Sequence, residues 1–291
     1  MVSTKERGSN VIVHCRSSFI LCVLVILFTN LASAQASKNE PTLQKDGDFI
    51  IEALLPITRK NGELLDTYAI ASELVKLTID EVNNNLTLLP NVQLGYEVIN
   101  DKLDLNFIMK RAIGIVSKYR PSSICREDEE FCSADQPSGN FINKRIGAVI
   151  GPATSSSSVP SASLLGLYNV PQISFSASSK TLSDKSRFKS FLRTIPSDTY
   201  QAEAMASFAY YFDWNYVFFI GSDDEYGRQG LTSFKTAARK LKVCTADDVN
   251  IPFQRPDDAK KTITDIIKKI KSLPSVRVAI LFMFESQAAQ V

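Results

Sequence analysis

Histidine is almost missing from this 291-residue chain, and the only one is His14. Beyond residue 14 the sequence therefore cannot run a Ser-His-Asp or Cys-His mechanism, and it lacks the commonest zinc ligand. A dinucleotide-type glycine fingerprint, a phosphate-loop GK[ST] and a G-x-S-x-G elbow are also missing. Carboxylate or lysine chemistry is left, but no spacing argues for it, so the chain reads as a non-enzyme. An excess of one charge is lacking too. Lys and Arg number 33 against 31 Asp and Glu, a formal net charge of +2, which gives no electrostatic reason to expect a nucleic-acid partner. Long apolar runs are confined to Phe19–Phe28, about half of the ~20 residues a membrane span needs. His14 and Arg16 precede that run, and Ala32 and Ala34 follow it. This is the pattern of a secretory signal peptide over residues 1–34, cut before Gln35, with an uncleaved anchor as the alternative.

Cysteine is scarce as well, at five residues. Cys15 and Cys22 fall within the signal, which leaves Cys125, Cys132 and Cys244. An odd number in an oxidising compartment leaves one without an internal partner. Asn85-Leu86-Thr87 is a glycosylation acceptor if the chain is exported. With 44% hydrophobic residues, a chain of this length can bury a large core in more than one domain.

The stretch Ile146 to Ser158 is the most informative one present. Its β-branched run, Ile146–Ile150, reads as a buried strand. The serines after it read as the cap of a helix over Ser157–Tyr168. A strand that empties into a helix start presents unpaired N–H groups, hydroxyls and a positive dipole end, the features that bind carboxylates. An ordinary Ser cap in a low-complexity run is the other reading.

Strand and helix patterns alternate along the rest of the chain. Phe49–Leu55 and Val92–Ile99 read as strands, with a helix between them presenting Tyr68, Ala71, Val75, Ile79 and Val82. Residues 120–143 are polar and read as an irregular excursion. Further strands are expected at Gln172–Ser176, Phe191–Ile195, Tyr216–Ile220, Val249–Pro252 and Val276–Phe282. Helices are expected from Asp198 to Phe212, Glu225 to Leu241 and Asp257 to Lys271. Such alternation implies an α/β fold with parallel sheets wrapped by helices, and ligands then sit beyond the carboxyl ends of the strands. The serine run, Ser176-Ala177-Ser178 and Ser222-Asp223-Asp224-Glu225-Tyr226 all fall at such ends. Asp198 also reads as an N-cap, and Asp223, Asp224 and Glu225 as residues favoured by a helix dipole.

GAVIGPATSSSSVPSASLLGLYNVPQISFSASSKTLSD, RFKSFLRTIPSDTYQAEAMA and DWNYVFFIGSDDEYGRQG together resemble the amino-terminal ligand-binding module of class C G protein-coupled receptors. The likeness is to the calcium-sensing-receptor-like, amino-acid-sensing branch. It implies a two-lobed clamshell of the type I periplasmic-binding-protein kind, with lobe one at residues 46–194 and an incomplete lobe two at 195–291. An amino acid would bind between the lobes. By that resemblance Ser155 and the neighbouring Ser156, together with Ser178, hold the ligand carboxylate. The Ser176 carbonyl and Asp198 face the ammonium, and Tyr226 closes over both. No cofactor is implied, though a divalent cation such as Ca2+ is a second class of ligand. A homodimer through lobe one, a heterotrimeric G protein and the extracellular face of the plasma membrane are implied for the complete receptor. A secreted binding protein that never signals is the alternative.

The chain departs from the family in the early cysteine pair, which is missing here. Cys125 and Cys132 sit where relatives link two subunits, and a local bridge across CREDEEFC is the other reading. Cys244 matches a cysteine that pairs with a later cysteine-rich module. Its lack of a partner, and a sequence that halts in a strand-to-helix step, lead to the expectation of a fragment or truncated product.

Overall fold

The first strands form because their residues are β-branched or apolar on both faces, as strands covered on two sides must be. A computed structural model describes residues 43–117, 145–253 and 255–291. In it β1 (Leu43–Lys45), β2 (Phe49–Leu55), β3 (Leu94–Asn100), β4 (Ile146–Ile150), β5 (Gln172–Ser174) and β6 (Phe191–Arg193) make one sheet, ordered β1-β3-β2-β4-β5-β6. Every pairing is parallel except β1 with β3. The edge strand β1 lies three residues before the expected lobe boundary at residue 46, within sequence read as a polar lead-in. Its antiparallel pairing with β3 supplies the hydrogen bonds that its composition does not advertise.

Helix α1 (Asp66–Asn84) covers one face of this sheet; α2 (Leu105–Ser117) and α3 (Ser155–Leu167) cover the other. Alternation along β2 sorts the side chains. Ile50 and Leu54 join Ile108, Ala112, Ile115 and Leu165 on the α2–α3 side. Ala53 and Leu55 join Ile79, Tyr96 and Val98 on the α1 side. The same alternation puts Glu52 and Glu97, register partners on neighbouring strands, into the α2 layer. Arg111 of α2 meets both, at 2.9 Å from Glu52 and 3.4 Å from Glu97.

The chain then crosses to a second sheet. Helix α4 (Asp198–Tyr211) leads to β7 (Tyr216–Ser222), followed by α5 (Glu225–Lys240), β8 (Cys244–Ile251), α6 (Pro256–Lys271), β9 (Val278–Phe282) and α7 (Glu285–Ala288). The order is β8-β7-β9, all parallel. Central strand β7 again splits its residues. Val217 and Phe219 pack with Ala202, Ala206 and Phe234 of α4 and α5. Phe218 and Ile220 pack with Ala259 and Ile266 of α6. The fold is thus α/β, with each sheet wrapped by helices.

Several boundaries differ from those read in the sequence. Helix α3 begins at Ser155, not Ser157, because Thr154 is its N-cap: the threonine hydroxyl accepts from Ser157 N at 3.3 Å. The serines are therefore helix residues rather than caps. Strand β8 starts five residues earlier than expected. Its polar residues remain extended because they pair with β7 and because Asp247 and Asp248 engage Lys269 and Lys235. Cys125 and Cys132, and the expected signal peptide, lie outside the described residues. Cys244, the first residue of β8, is exposed as a free thiol.

Gly151 closes β4 at φ +90°, and a Cβ there would meet the Leu54 carbonyl oxygen at 2.3 Å. Backbone strain and a backbone clash then act together, with no flexible side chain to give way. Gly151→Ala should lower stability by about 2 kcal/mol or more in urea denaturation. An unchanged midpoint would show that the turn feeding the serine run tolerates rearrangement.

Candidate functional site

Five parallel strands, β2 to β6, deliver their carboxyl ends to one edge of the first sheet. The polar groups after β4, β5 and β6 meet the start of α5 there. A pocket of about 280 Å³ is lined by Ser155, Ser176, Ser178, Ile195, Pro196, Ser197, Asp198, Gln201, Tyr226 and Phe284. The volume is just below the usual range for drug-sized ligand sites, about 300–1,000 Å³. Five of the six residues singled out in the sequence line it. Ser156 does not: its hydroxyl accepts from the Glu225 amide at 3.3 Å.

Ser155 opens α3, where backbone N–H groups have no partner within the helix. Its hydroxyl accepts from Ser179 N at 3.1 Å, so its own proton is left to donate. The Ser176 hydroxyl donates to the Ala153 carbonyl at 2.6 Å, which ties the two loops together. The Ser178 carbonyl is occupied twice, by the Asp198 amide at 2.9 Å and by Arg193 Nη1 at 3.0 Å. Serine positions on this wall thus serve as donors through their hydroxyls and as braces through their backbone.

Asp198 is 1% exposed, and neither carboxylate oxygen has a hydrogen-bond partner of proper geometry. It was expected to cap α4. The cap is Ser197, whose hydroxyl accepts from Thr199 N at 3.4 Å. Asp198, which does not cap, lines the pocket with both carboxylate oxygens buried. Burial pushes that carboxyl up to about 6; the nearby Ser178 hydroxyl and Arg193 charge draw it part of the way back, and Asp224 raises it. A buried, unmatched acceptor of this kind is unfavourable to the free protein and favours a cationic donor.

Tyr226 reaches the pocket from α5 at the end of an aromatic series. Phe219 stacks on Phe282, Phe282 lies 4.7 Å from Tyr226, and Tyr226 stacks on Phe284 at 5.3 Å. The tyrosine is therefore held by the core of the second sheet, and its hydroxyl donates to Gln201 Oε1 at 3.4 Å. Burial raises its pKa, with Asp198 and Asp224 adding to the effect against the Gln201 bond. Asp224, not Asp223 or Glu225, caps α5, accepting from Gly227 N at 2.9 Å.

Sequence reading missed Ser197, Gln201 and Phe284. Gln201 carried a signal: three residues after Asp198 on a helix, it shares that face. Phe284 lies across the second sheet, and no local pattern marks it. Among the described residues, no group of three His, Cys, Asp or Glu side chains gathers as a metal-ligand set. Nor is any described helix long and apolar enough to cross a membrane.

The site's electrostatics have a consequence for stability. The folded carboxyl of Asp198 holds its proton to about pH 6, whereas an unfolded aspartate releases it near pH 3.9. Between these values the native state binds more protons, so stability falls as pH rises. Asp198→Asn removes that loss. It should stabilise the chain at pH 7 by up to about 3 kcal/mol and change little near pH 4, as measured by urea denaturation at the two pH values. A destabilised variant at pH 7 would mean that the carboxylate has a partner in solution.

A scan against family models matches residues 71–291 to "Receptor family ligand binding region". Among curated relatives, the extracellular calcium-sensing receptor of Sus scrofa is 33% identical over 239 residues, covering 77% of this chain and 21% of the relative. The receptor of the same name from Bos taurus is 31% identical over 277 residues, covering 90% and 24%. That from Mus musculus is 33% identical over 242 residues, covering 78% and 22%. The chain thus spans between a fifth and a quarter of the length of these relatives.

Proposed function

Because the chain belongs to the receptor family ligand-binding regions, in the class C, calcium-sensing-receptor-like branch, we propose that it binds an α-amino acid in the Asp198 pocket. The observation that carries the reading is a buried carboxylate, with neither oxygen in a hydrogen bond of proper geometry, that lines a pocket of about 280 Å³ together with Ser155, Ser176 and Ser178. Asp198 takes the ammonium. The hydroxyls of Ser155 and Ser178 and the free amides at the start of α3 take the carboxylate. One zwitterion therefore satisfies both ends of the site at once.

The rest of the wall mixes Ile195, Pro196, Phe284 and the Tyr226 ring with the polar but uncharged Ser176, Ser197 and Gln201. An aliphatic or aromatic side chain fits that lining better than a charged one. Each charge-assisted hydrogen bond contributes about 1.5–3 kcal/mol, while ligand immobilisation and ordering cost several kcal/mol against it. A dissociation constant of roughly micromolar to millimolar follows.

In this reading the six-stranded and three-stranded sheets are the two lobes of a clamshell, residues 46–194 and 195–291, with the ligand between them. Closure would be passed to a membrane-spanning part of a longer receptor at the plasma membrane and on to a heterotrimeric G protein. Pairing through lobe one, glycosylation at Asn85 and export by residues 1–34 belong to the same proposal. So does a divalent cation such as Ca2+ as a second ligand.

Isothermal titration with L-leucine tests the site. The chain should bind it in the micromolar-to-millimolar range. Asp198→Asn should abolish binding, and a Ser155→Ala, Ser178→Ala double variant should weaken it by about 100-fold or more. Absence of heat with every zwitterionic amino acid tried would remove the proposal.

A further inference from the structure

Glu225 opens α5, where an acidic residue is ordinarily explained by the helix dipole. Its hydrogen bonds go elsewhere. Asp224 already caps the helix, and the Glu225 carboxylate reaches across to the first sheet's connections. Oε1 accepts from the Ser179 hydroxyl at 3.1 Å and from the Thr181 hydroxyl at 2.7 Å. The Glu225 amide donates to Ser156 at the start of α3. One residue of the second sheet thus holds two separate segments of the first, with partners 44 to 69 positions away in sequence.

The segment it grips is stiff. Ser179 caps a 3₁₀ turn, Lys180–Ser183, by accepting from Thr181 N. From the opposite side Arg193 donates to the Ser178 and Ser179 carbonyls and to the Ser183 hydroxyl. The same segment supports the pocket, because the Ser179 amide donates to the hydroxyl of Ser155. Pulling on Ser179 therefore moves a residue that faces the ligand.

We infer that Glu225 is a positioning residue that latches the two sheets together: by holding Ser179 and Thr181 it fixes the serine wall against Tyr226 and sets how long an occupant is retained. The inference rests on the amino-acid reading for its ligand, while the latch itself is a property of the protein alone. Charge-assisted bonds to two hydroxyls are stronger than neutral ones, and Ser156 adds a third contact at the same corner. A latch of this kind acts on dissociation more than on encounter, because its bonds are complete only in the closed arrangement.

Amide hydrogen exchange on the purified full chain, without ligand, provides the first test. Glu225→Ala should accelerate exchange in residues 178–183 and in the first turn of α5 by on the order of tenfold, with the amides of β2 and β7 unchanged. Glu225→Gln should keep most of the protection, since its carbonyl oxygen accepts from the same two hydroxyls. A Ser179→Ala, Thr181→Val double variant approaches the latch from the other side and should give the same pattern. In stopped-flow binding of L-leucine, Glu225→Ala should release ligand on the order of tenfold faster with association little changed. Exchange in residues 178–183 unaltered by both variants would overturn the inference. So would acceleration confined to α5, which a helix-end role alone would give. Faster exchange at both segments in a chain that takes up no L-leucine supports the latch and counts against the amino-acid reading only.

Discussion

Parallel pairing is the constraint on which the rest of this structure depends. Strands that run the same way must end at the same edge, so the connections after β4, β5 and β6 are brought within reach of one another regardless of their distance in sequence. Each connection carries hydroxyl groups, and each next helix begins with amides its own turns cannot satisfy. The fold therefore concentrates donors at one edge before any particular ligand is considered. One acid of the pocket wall, Asp198, is then placed among them by the crossing to the second sheet.

Asp198 shows how such a site is kept in readiness. Its burial is unfavourable to the charged form and raises its pKa. The surroundings relieve that penalty only in part, through the Ser178 hydroxyl and the Arg193 charge: Ser197 takes over the cap, and Arg193 donates to the Ser178 and Ser179 carbonyls and the Ser183 hydroxyl. The contrast with the first sheet's other buried acids is instructive. Glu52 and Glu97 are equally enclosed, but Arg111 reaches both of them. Their layer is structural, whereas the acid at the strand ends lines the pocket. Burial alone does not mark the site, since Asp101 after β3 is also buried with Oδ2 unpartnered; Asp198 differs in lining the pocket.

The second sheet contributes through rigid aromatic packing. Phe219 and Phe282 belong to the core, and Tyr226 continues their series to the pocket. Gly230 permits this, because a Cβ there would meet the Phe282 ring at 2.2 Å. Tyr226 is therefore placed by packing against strand β9, while the Glu225 corner is placed by hydrogen bonds to the opposite sheet. The two neighbouring residues of α5 thus carry different physics to the same place.

Much of this was legible in the sequence. β-branched runs gave the strands, three-to-four spacing gave the helices, and their alternation gave a parallel α/β architecture. Hydroxyl-rich segments after three strands pointed to the strand-end pocket, and of the residues the resemblance named, Ser155, Ser176, Ser178, Asp198 and Tyr226 line it while Ser156 does not. Local pattern alone did not decide between Ser197 and Asp198 as cap, or between capping and bridging for the acids before Tyr226. Adjacent polar residues can exchange those roles at almost no local energetic difference. Nor did it mark the polar strand β8, which is extended because β7 lies beside it, or the Arg111 pairing, which needs β2, β3 and α2 assembled. Periodicity is a property of neighbours in the chain, and it determined the elements and their order. Partner choice for each buried polar group was decided by the tertiary structure, since hydrogen bonds and desolvation depend on atoms that sequence distance does not bring together.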